Sequence, residues 1–270
     1  QPHAVIVSDL GVCRLVKKYT TIPVHVSTQA SATNLYACQF WRNMGAERII
    51  LAREVSIQDC IDIQSTLPIE LELFIHGAMC ASYSGKCTIS NISSGRDSNR
   101  GGCVQSCRHK YQLFDPLTKE PLNSAHVMNA KDLMGLSTIP AMINANIASL
   151  KIEGRMKSNL YVANTIHIYR RAIDYCYDSI KNNCAIDQDK LTNYETQLRH
   201  VSNRDFSLGG LHHRPQQDSI HYQFGGYEKK VDYIGIVREI VPDNTIFIDV
   251  KGSFKHGDLL TLLSQNGEKY

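Results

Sequence analysis

Long apolar runs are absent from this sequence of 270 residues. A membrane-spanning helix needs about 20 consecutive, mostly apolar residues, and no stretch of even about 18 occurs, so we expect no transmembrane helix and no membrane partner. A secretory signal is also absent, because the chain opens with Gln-Pro-His and passes directly into a strand-like run. The first residue is not methionine, which predicts that residues are missing upstream.

A strong charge of either sign is lacking as well. The formal net charge is +3, which permits a polyanionic partner but does not require one. The apolar fraction of 43% and the charged fraction of 20% are ordinary for a globular protein that buries a core. The composition therefore excludes a disordered tail or a strongly basic nucleic-acid-binding arm as the main feature of the chain.

The pattern of the first 200 residues alternates between strands and helices. Strands are predicted at Ala4–Asp9, Pro23–Gln29, Glu47–Ala52, Glu70–Gly77 and Ser149–Gly154. Helices are predicted at 34–45, from Ser56 as a cap, around 133–139 and at 158–180. This alternation predicts parallel βα units, and hence an α/β fold that is a partial or complete TIM-like (β/α) barrel over residues 1–200.

The composition and periodicity of the sequence change after about residue 200. Residues 201–232 are rich in Gly and His and have no periodicity, so they are predicted to be a linker. Residues 233–270 contain short β-branched runs separated by turn signals, which predicts a small antiparallel, β-barrel-like domain whose end is cut short.

The nine cysteines fall into two groups. Five are scattered through regular segments, which is typical of reduced thiols and predicts a cytoplasmic location: Cys13, Cys38, Cys60, Cys176 and Cys184. The other four lie within 28 residues, just beyond a predicted strand, in a polar loop rich in Gly and Ser: Cys80, Cys87, Cys103 and Cys107.

Three interpretations of the four clustered cysteines compete. Two disulfides, or simply four free thiols, are the plainest, and the lack of a secretory signal argues against disulfides. A structural zinc site fits the short spacing of Cys103 and Cys107, although the six residues between Cys80 and Cys87 are wide for it. An iron–sulfur cluster also takes four thiolates, with less fixed spacing. Spacing alone leaves zinc and iron–sulfur nearly even.

The residues that carry a family resemblance surround these cysteines. The segment ELELFIHGAMCASYSGKC, residues 70–87, resembles the signature of peptidase family U32. NRGGCVQSCRHKY, residues 99–111, resembles the next block of that family, and further blocks follow the family's order: HVSTQASATN, ERIILAREVS, MNAKDLMGL and SLKIEGRMKSNLYV. The resemblance covers about residues 4–180, and the segment from about 233 is similar to the small C-terminal domain of longer members.

The resemblance implies a function in RNA modification. The family is named for collagenase-like proteases, but its better-understood members take part in hydroxylation of a transfer-RNA wobble uridine, a ribosomal-RNA cytidine or a ubiquinone precursor. The RNA branch depends on prephenate, which implies prephenate as a possible co-substrate and a small-molecule hydroxyl donor as a partner. In the ubiquinone branch, members work in pairs and carry a 4Fe–4S cluster on four cysteines. The present sequence is most similar to the transfer-RNA branch, which implies tRNA as a partner and leaves room for a protein partner.

Carried over to this sequence, the resemblance implies a ligand set and a neighbouring pair of catalytic groups. The cluster ligands would be Cys80, Cys87, Cys103 and Cys107. Glu72 shares a strand face with His76 through the period of two, so both are candidate catalytic residues beside the cysteines. For a lone histidine, packing at a strand end is the commoner role than acid–base chemistry.

Polar residues at other strand ends are candidates for substrate binding. Gln29 and Arg53 follow two strands, and Lys151, Glu153 and Arg155 lie at the end of a third. Convergence of polar groups at strand ends is typical of a barrel active site. Arg155 would suit a carboxylate, such as those of prephenate, or an RNA phosphate. A salt bridge between Lys151 and Glu153, or between Glu153 and Arg155, is an equally good interpretation.

Two other functions stay open. A peptidase would need a nucleophile and a base, for which Cys80 and His76 are the best pair, and no G-x-S-x-G serine elbow is present. The third alternative is a non-catalytic scaffold stabilised by a metal.

Overall fold

The computed structural model describes residues 2–223, 225–227, 233–242 and 245–262. Seven strands form one sheet and two form another, and seven helices connect them. The strands are β1 (Val5–Val7), β2 (Val24–Val26), β3 (Arg48–Ile50), β4 (Glu70–Gly77), β5 (Asp132–Met134), β6 (Ser149–Ile152), β7 (Phe206–Ser207), β8 (Gly235–Ile240) and β9 (Ile246–Val250). The helices are α1 (Leu10–Tyr19), α2 (Leu35–Asn43), α3 (Ile57–Thr66), α4 (Ile89–Ser94), α5 (Ile139–Asn144), α6 (Asn159–Lys181) and α7 (Gln188–Leu198).

Side-chain caps fix where the helices begin. Asp9 caps α1, Asn34 caps α2, and Ser158 caps α6, each by accepting a hydrogen bond from a backbone N–H of the first turn. Ser56, the predicted cap of α3, forms a reciprocal capping box with Asp59. The predicted alternation of strands and helices is therefore confirmed through α3.

Strand β4 organises the larger sheet. Strands β1, β2, β3 and the first half of β4 are parallel neighbours. The other edge of β4 pairs in parallel with β6. The last residues of β4 pair antiparallel with β5, which in turn pairs in parallel with β7. The protein is thus mixed α/β with a mostly parallel sheet, and β8 and β9 form a separate antiparallel sheet.

Two predictions meet a different structure. The helix predicted around 133–139 is wrong in its first half, because residues 132–134 form the buried strand β5 and α5 begins only at Ile139. A short apolar run does not distinguish a strand from a helix by periodicity, and pairing with β4 decides the outcome. The segment predicted as a linker contributes β7 to the main sheet. The last part of the predicted β domain, residues 263–270, lies outside the described residues.

The core is formed by the strands of the larger sheet and the helices that pack against them. Buried strand residues such as Val24, Ile49 and Leu71 pack there. Three scattered cysteines, Cys13, Cys38 and Cys60, are fully buried among them. Burial raises the pKa of Cys38 to about 11 and that of Cys60 to about 12, so these thiols stay protonated. Across the described ranges, no helix is both long and apolar enough to cross a membrane.

Candidate functional site

The four clustered cysteines lie on the long loop between β4 and β5. All are free thiols; Cys80 and Cys103 are exposed, and Cys87 and Cys107 are half-buried. Burial raises the pKa of Cys107, nearby Arg108 lowers it, and the other three thiols of the group raise it further. The loop therefore places all four sulfur atoms in one electrostatic neighbourhood, and no disulfide joins any of the nine cysteines.

Ser84 joins the first half of this loop, by hydrogen bonds, to the segments that follow β2 and β3. Its backbone N–H donates to Glu54 Oε1 at 2.7 Å, and its carbonyl accepts from Ser31 Oγ at 2.6 Å. The Ser84 hydroxyl accepts from the backbone N–H of Arg53 at 3.2 Å. The Tyr-Ser-Gly sequence between Cys80 and Cys87 thus positions the two cysteines against the carboxyl ends of parallel strands, where active sites of α/β proteins lie.

Gly85 is required by this packing. Its φ is +77°, and a Cβ added to it would lie 2.2 Å from the Gln29 carbonyl oxygen. Gly85→Ala should reduce the free energy of unfolding by about 1–3 kcal/mol more than Gly95→Ala, because only the methyl group added at Gly85 would overpack against backbone. Gly95 is the matched control, since it is also left-handed at φ +66° but has open space around it. Urea unfolding of both variants measures the difference, and equal losses would contradict the assigned contact.

Arg108 links the second half of the loop to the first. Its Nη2 donates to the carbonyl of Met79, the residue before Cys80, at 2.5 Å. Its Nη1 donates to Asn129 Oδ1 at 2.9 Å and to the Ala130 carbonyl. All three acceptors are neutral, so the guanidinium charge is not neutralised by these contacts. The charge of Arg108 offsets only part of the effect of burial on Cys107, whose pKa stays above its ordinary value.

The four thiols do not form a preassembled single-ion site. Within the described part of the chain, no three His, Cys, Asp or Glu side chains are grouped so that they could hold one metal ion. The donor set itself is four thiols, which are the ligands of structural zinc sites and of iron–sulfur clusters alike.

Glu72 forms ionic contacts with basic residues on both neighbouring strands. It is 7% exposed, and its Oε1 accepts from Lys151 Nζ at 2.9 Å, while Arg48 Nη1 lies 3.6 Å from Oε2. The expected pairing of Lys151 with Glu153 is therefore wrong, since Lys151 binds Glu72 across the β4–β6 pair. The guanidinium of Arg53 stacks on the ring of Phe74 at 4.0 Å from its centroid.

His76 is enclosed by aromatic rings at the end of β4. It is fully buried, with the rings of Tyr161, Tyr169 and Phe206 between 5.3 and 5.9 Å from its own. The Tyr169 hydroxyl donates to the Ile75 carbonyl at 2.9 Å and so accepts from His76 Nδ1, 3.2 Å away. The proton therefore sits on Nδ1, and Nε2 has no partner among the described residues. Glu72 and His76 share no hydrogen bond in the described structure.

The buried state of His76 gives the protein a pH-dependent stability. Burial, and secondarily the charge of Lys157, lower its pKa to about 3. An unfolded histidine has a pKa of about 6.5, so the unfolded chain binds a proton that the folded chain does not. The free energy of unfolding should therefore fall as pH falls from about 6.5 towards 3, by about 1.4 kcal/mol per pH unit from this residue.

Urea unfolding at pH 7 and pH 5 tests this assignment in the protein and in His76→Gln. The variant keeps a polar side chain for Tyr169 but cannot titrate. We expect a shallower fall in stability in the variant, and parallel falls in both proteins would refute the buried neutral imidazole.

A buried ionic cluster next to His76 was not predicted from the sequence. Asp132, fully buried on β5, lies 3.3 Å from Lys157 Nζ and 3.6 Å from Arg204 Nη1. Lys157 also donates to the Ser202 carbonyl at 3.2 Å and lies 4.7 Å from the centroid of the Tyr161 ring. Burial lowers the pKa of Lys157 and Asp132 raises it. The one local feature of the sequence that could have indicated this cluster is Asp132, a carboxylate directly before the apolar Leu133 and Met134.

The remaining predicted site residues border the cysteine loop. Gln29 lies beneath Gly85, and its Oε1 is buried without a partner among the described residues. Glu153 accepts from the backbone N–H of Arg155 at 3.1 Å instead of forming a side-chain ion pair with it. The Arg155 guanidinium lies beside Gly101, between Cys87 and Cys103. The structure thus brings Gln29, Arg53 and Arg155 to the cysteine loop, and groups Lys151 with Glu72.

Positive charge is concentrated on the cysteine loop. Residues 80–110 contain five Lys or Arg and one Asp, so this short segment carries a larger positive surplus than the +3 of the whole chain. Lys86, Arg96, Arg100 and Lys110 are exposed, and so is the ring of Tyr83. An exposed basic surface with an aromatic ring is suited to a polyanion.

These features define an α/β protein with a four-thiol centre at the carboxyl ends of its strands. The model of peptidase family U32 matches residues 1–221. The chain therefore belongs to peptidase family U32, as its sequence motifs predicted.

Curated relatives share most of this chain. It is 39% identical over 267 residues to tRNA hydroxylation protein P1 of Bacillus subtilis, covering 94% of this chain and 61% of the relative. It is 40% identical over 227 residues to tRNA hydroxylation protein P of Helicobacter pylori, covering 80% of this chain and 52% of the relative. A collagenase of Porphyromonas gingivalis is 31% identical over 250 residues, covering 87% and 58%. The chain thus spans between half and two thirds of each of these relatives' lengths, and no solved structure matches it.

Proposed function

We propose that this protein takes part in tRNA hydroxylation, forming 5-hydroxyuridine at the wobble position. The observation that carries the proposal is the four-thiol loop, set in a chain about 40% identical to two proteins named for tRNA hydroxylation. On this proposal the protein is an RNA-modifying enzyme that works in the cytoplasm. On the same proposal the larger sheet belongs to a partial or complete TIM-like barrel whose mouth holds the reaction.

The proposed cofactor is a 4Fe–4S cluster held by Cys80, Cys87, Cys103 and Cys107. The donor set fits such a group in kind, because four free thiols lie on one loop and interact electrostatically with one another. Zinc, which also binds four thiolates, is the alternative cofactor. When bound, the cluster would supply electron transfer to the hydroxylation. Arg108 would offset part of the negative charge that four thiolates bring.

The proposed role of the basic loop is to hold the tRNA phosphates. Lys86, Arg96, Arg100 and Lys110 are exposed around the cysteines, and phosphate contacts from such residues supply most non-specific affinity. The exposed Tyr83 ring, four residues before Cys87, is suited to stack on an unpaired anticodon base. Affinity for tRNA should accordingly fall steeply with salt.

The proposed site of the small-molecule donor is the polar surface formed by Arg53, Lys151 and Gln29. Arg53 Nε and Gln29 Oε1 are buried without partners among the described residues, so both are available to a ligand. Lys151 is partly exposed and adds a second cation. A dicarboxylate such as prephenate would be recognised by these two cations, and Glu72 would orient Lys151 through their ion pair.

The peptidase alternative lacks a catalytic pair in this geometry. Cys80 is exposed, whereas His76 is fully enclosed and bonded to Tyr169. A cysteine nucleophile needs a base within hydrogen-bond reach, and none of the described contacts provides one. The relative named collagenase keeps a gelatin-cleavage assay worthwhile, and we expect no cleavage.

Nucleoside analysis of tRNA tests the proposed function. The natural full-length protein and its Cys103→Ala variant would be expressed in cells that lack their own tRNA hydroxylation protein, and wobble uridines would be analysed by mass spectrometry. We expect 5-hydroxyuridine with the unsubstituted protein and none with the variant. An unmodified wobble uridine in both, with normal protein levels, would reject the proposal.

A further inference from the structure

Gln105 occupies a strained position between two of the proposed cluster ligands. Its φ is +60°, in the left-handed region that costs a residue with a side chain about 1–2 kcal/mol. In this conformation its backbone N–H points at Cys103 Sγ, 3.4 Å away. A non-glycine residue keeps such a conformation only where its surroundings hold it there.

The Gln105 side chain is held by a buried arginine from a distant part of the chain. Gln105 Oε1 accepts from Arg204 Nη2 at 2.9 Å. Arg204 is 3% exposed, and it is itself fixed because Nη2 also donates to the Tyr227 hydroxyl at 2.5 Å and Nη1 lies 3.6 Å from Asp132. The side-chain amide of Gln105 therefore contacts a buried cation that is itself held in place, although Gln105 lies on a loop that is only partly buried.

We propose that Gln105 is a positioning residue whose contact with Arg204 keeps its backbone left-handed and its N–H directed at Cys103 Sγ. This inference rests on the proposed function, because the acceptor of the Gln105 N–H would then be a metal-bound thiolate, that of Cys103. Hydrogen bonds to cluster sulfurs set both the stability and the reduction potential of such centres. The side-chain amide of Gln105 would thereby connect the buried Asp132–Lys157–Arg204 cluster to the cysteine loop.

Two substitutions at Gln105 separate the contact from the backbone conformation. Gln105→Glu keeps the length needed to reach Arg204 and retains the contact as an ion pair. Gln105→Asn keeps a residue that tolerates the left-handed region but is too short to reach. Both leave the buried cluster intact, so both variants should fold.

The primary measurement is the rate at which a chelator removes iron from each protein, prepared without oxygen. We expect Gln105→Asn to lose iron about 10- to 100-fold faster than the unsubstituted protein, in line with other residues that orient metal ligands, and Gln105→Glu to lose it at the unsubstituted rate. The reduction potential of Gln105→Asn should also shift to a more negative value. Unchanged iron loss in Gln105→Asn, or equally fast loss in both variants, would overturn the proposal.

Hydrogen exchange on the metal-free proteins separates this inference from the proposed function. If the unsubstituted protein binds no iron and sulfide, the proposed cofactor fails, but the contact can still be tested. We then expect the peptide that spans residues 103–107 to exchange faster in Gln105→Asn than in Gln105→Glu and the unsubstituted protein. Equal exchange in all three would show that Arg204 does not hold the loop and would reject the positioning role.

Discussion

The Cys103→Ala protein, purified without oxygen, is expected to contain almost no iron and no acid-labile sulfide, whereas the unsubstituted protein should contain about four of each per chain. Cys103 is exposed, so solvent would take the place of its sulfur in the variant. Water would reach the open iron, and the remaining three thiolates would hold an unprotected cluster. Absorbance near 400 nm should disappear with the metal.

Cys184→Ala is the matched control for this experiment. Cys184 is also an exposed free thiol, but it follows α6, and its sulfur donates to the Asn182 carbonyl. Its removal leaves the β4–β5 loop unchanged, so iron and sulfide should stay at the unsubstituted amounts. One zinc and no sulfide in the unsubstituted protein would contradict the cluster and make the site structural. The scaffold function would then take precedence over hydroxylation.

The strand that supports the site was predictable because the residues that specify it lie within the strand or directly beside it. The strand predicted at Glu70–Gly77 is β4 with the same bounds, since Leu71, Leu73, Phe74 and Ile75 form an apolar segment that lies between a proline and a positive-φ glycine. The family resemblance and two of the four proposed ligands, Cys80 and Cys87, came from a motif that overlaps this strand. Ser84 and Gly85 of that motif now have a physical role, because they anchor the loop to β2 and β3.

The partners of charged residues were not predictable because they come from other strands. Lys151 and Glu153 are two residues apart on one strand, which made an ion pair between them plausible. Strand pairing instead aligns Lys151 with Phe74, which brings its ammonium within 2.9 Å of Glu72. Cross-strand neighbours are closer than residues two apart on one strand, but they are known only once the register is known. Asp132, Lys157 and Arg204 meet for the same reason, from three separate segments.

Asp132→Asn is expected to reduce the free energy of unfolding by about 3–5 kcal/mol, the usual loss when one partner of a buried ion pair is removed. The side chains of Lys157 and Arg204 are 5% and 4% exposed, and Asp132 is the carboxylate that both approach in the described structure. Asparagine has nearly the same shape, so packing is preserved and only the negative charge is lost. Two buried cations would then remain without the carboxylate that both approach.

The surface pair of Arg170 and Asp174 provides the matched control for Asp132. These residues also form a carboxylate–guanidinium contact, at 2.5 Å, but both side chains are about 60% exposed and one helical turn apart. Asp174→Asn should therefore change stability by only about 0.3–0.5 kcal/mol. Urea unfolding at pH 7 compares the two variants.

The double variant Asp132→Asn, Lys157→Met should recover part of the loss in the free energy of unfolding, because the Lys157 substitution removes one of the two uncompensated charges. Equal, small losses for Asp132→Asn and Asp174→Asn would mean that the Asp132 cluster is solvated and does not hold β5 against α6.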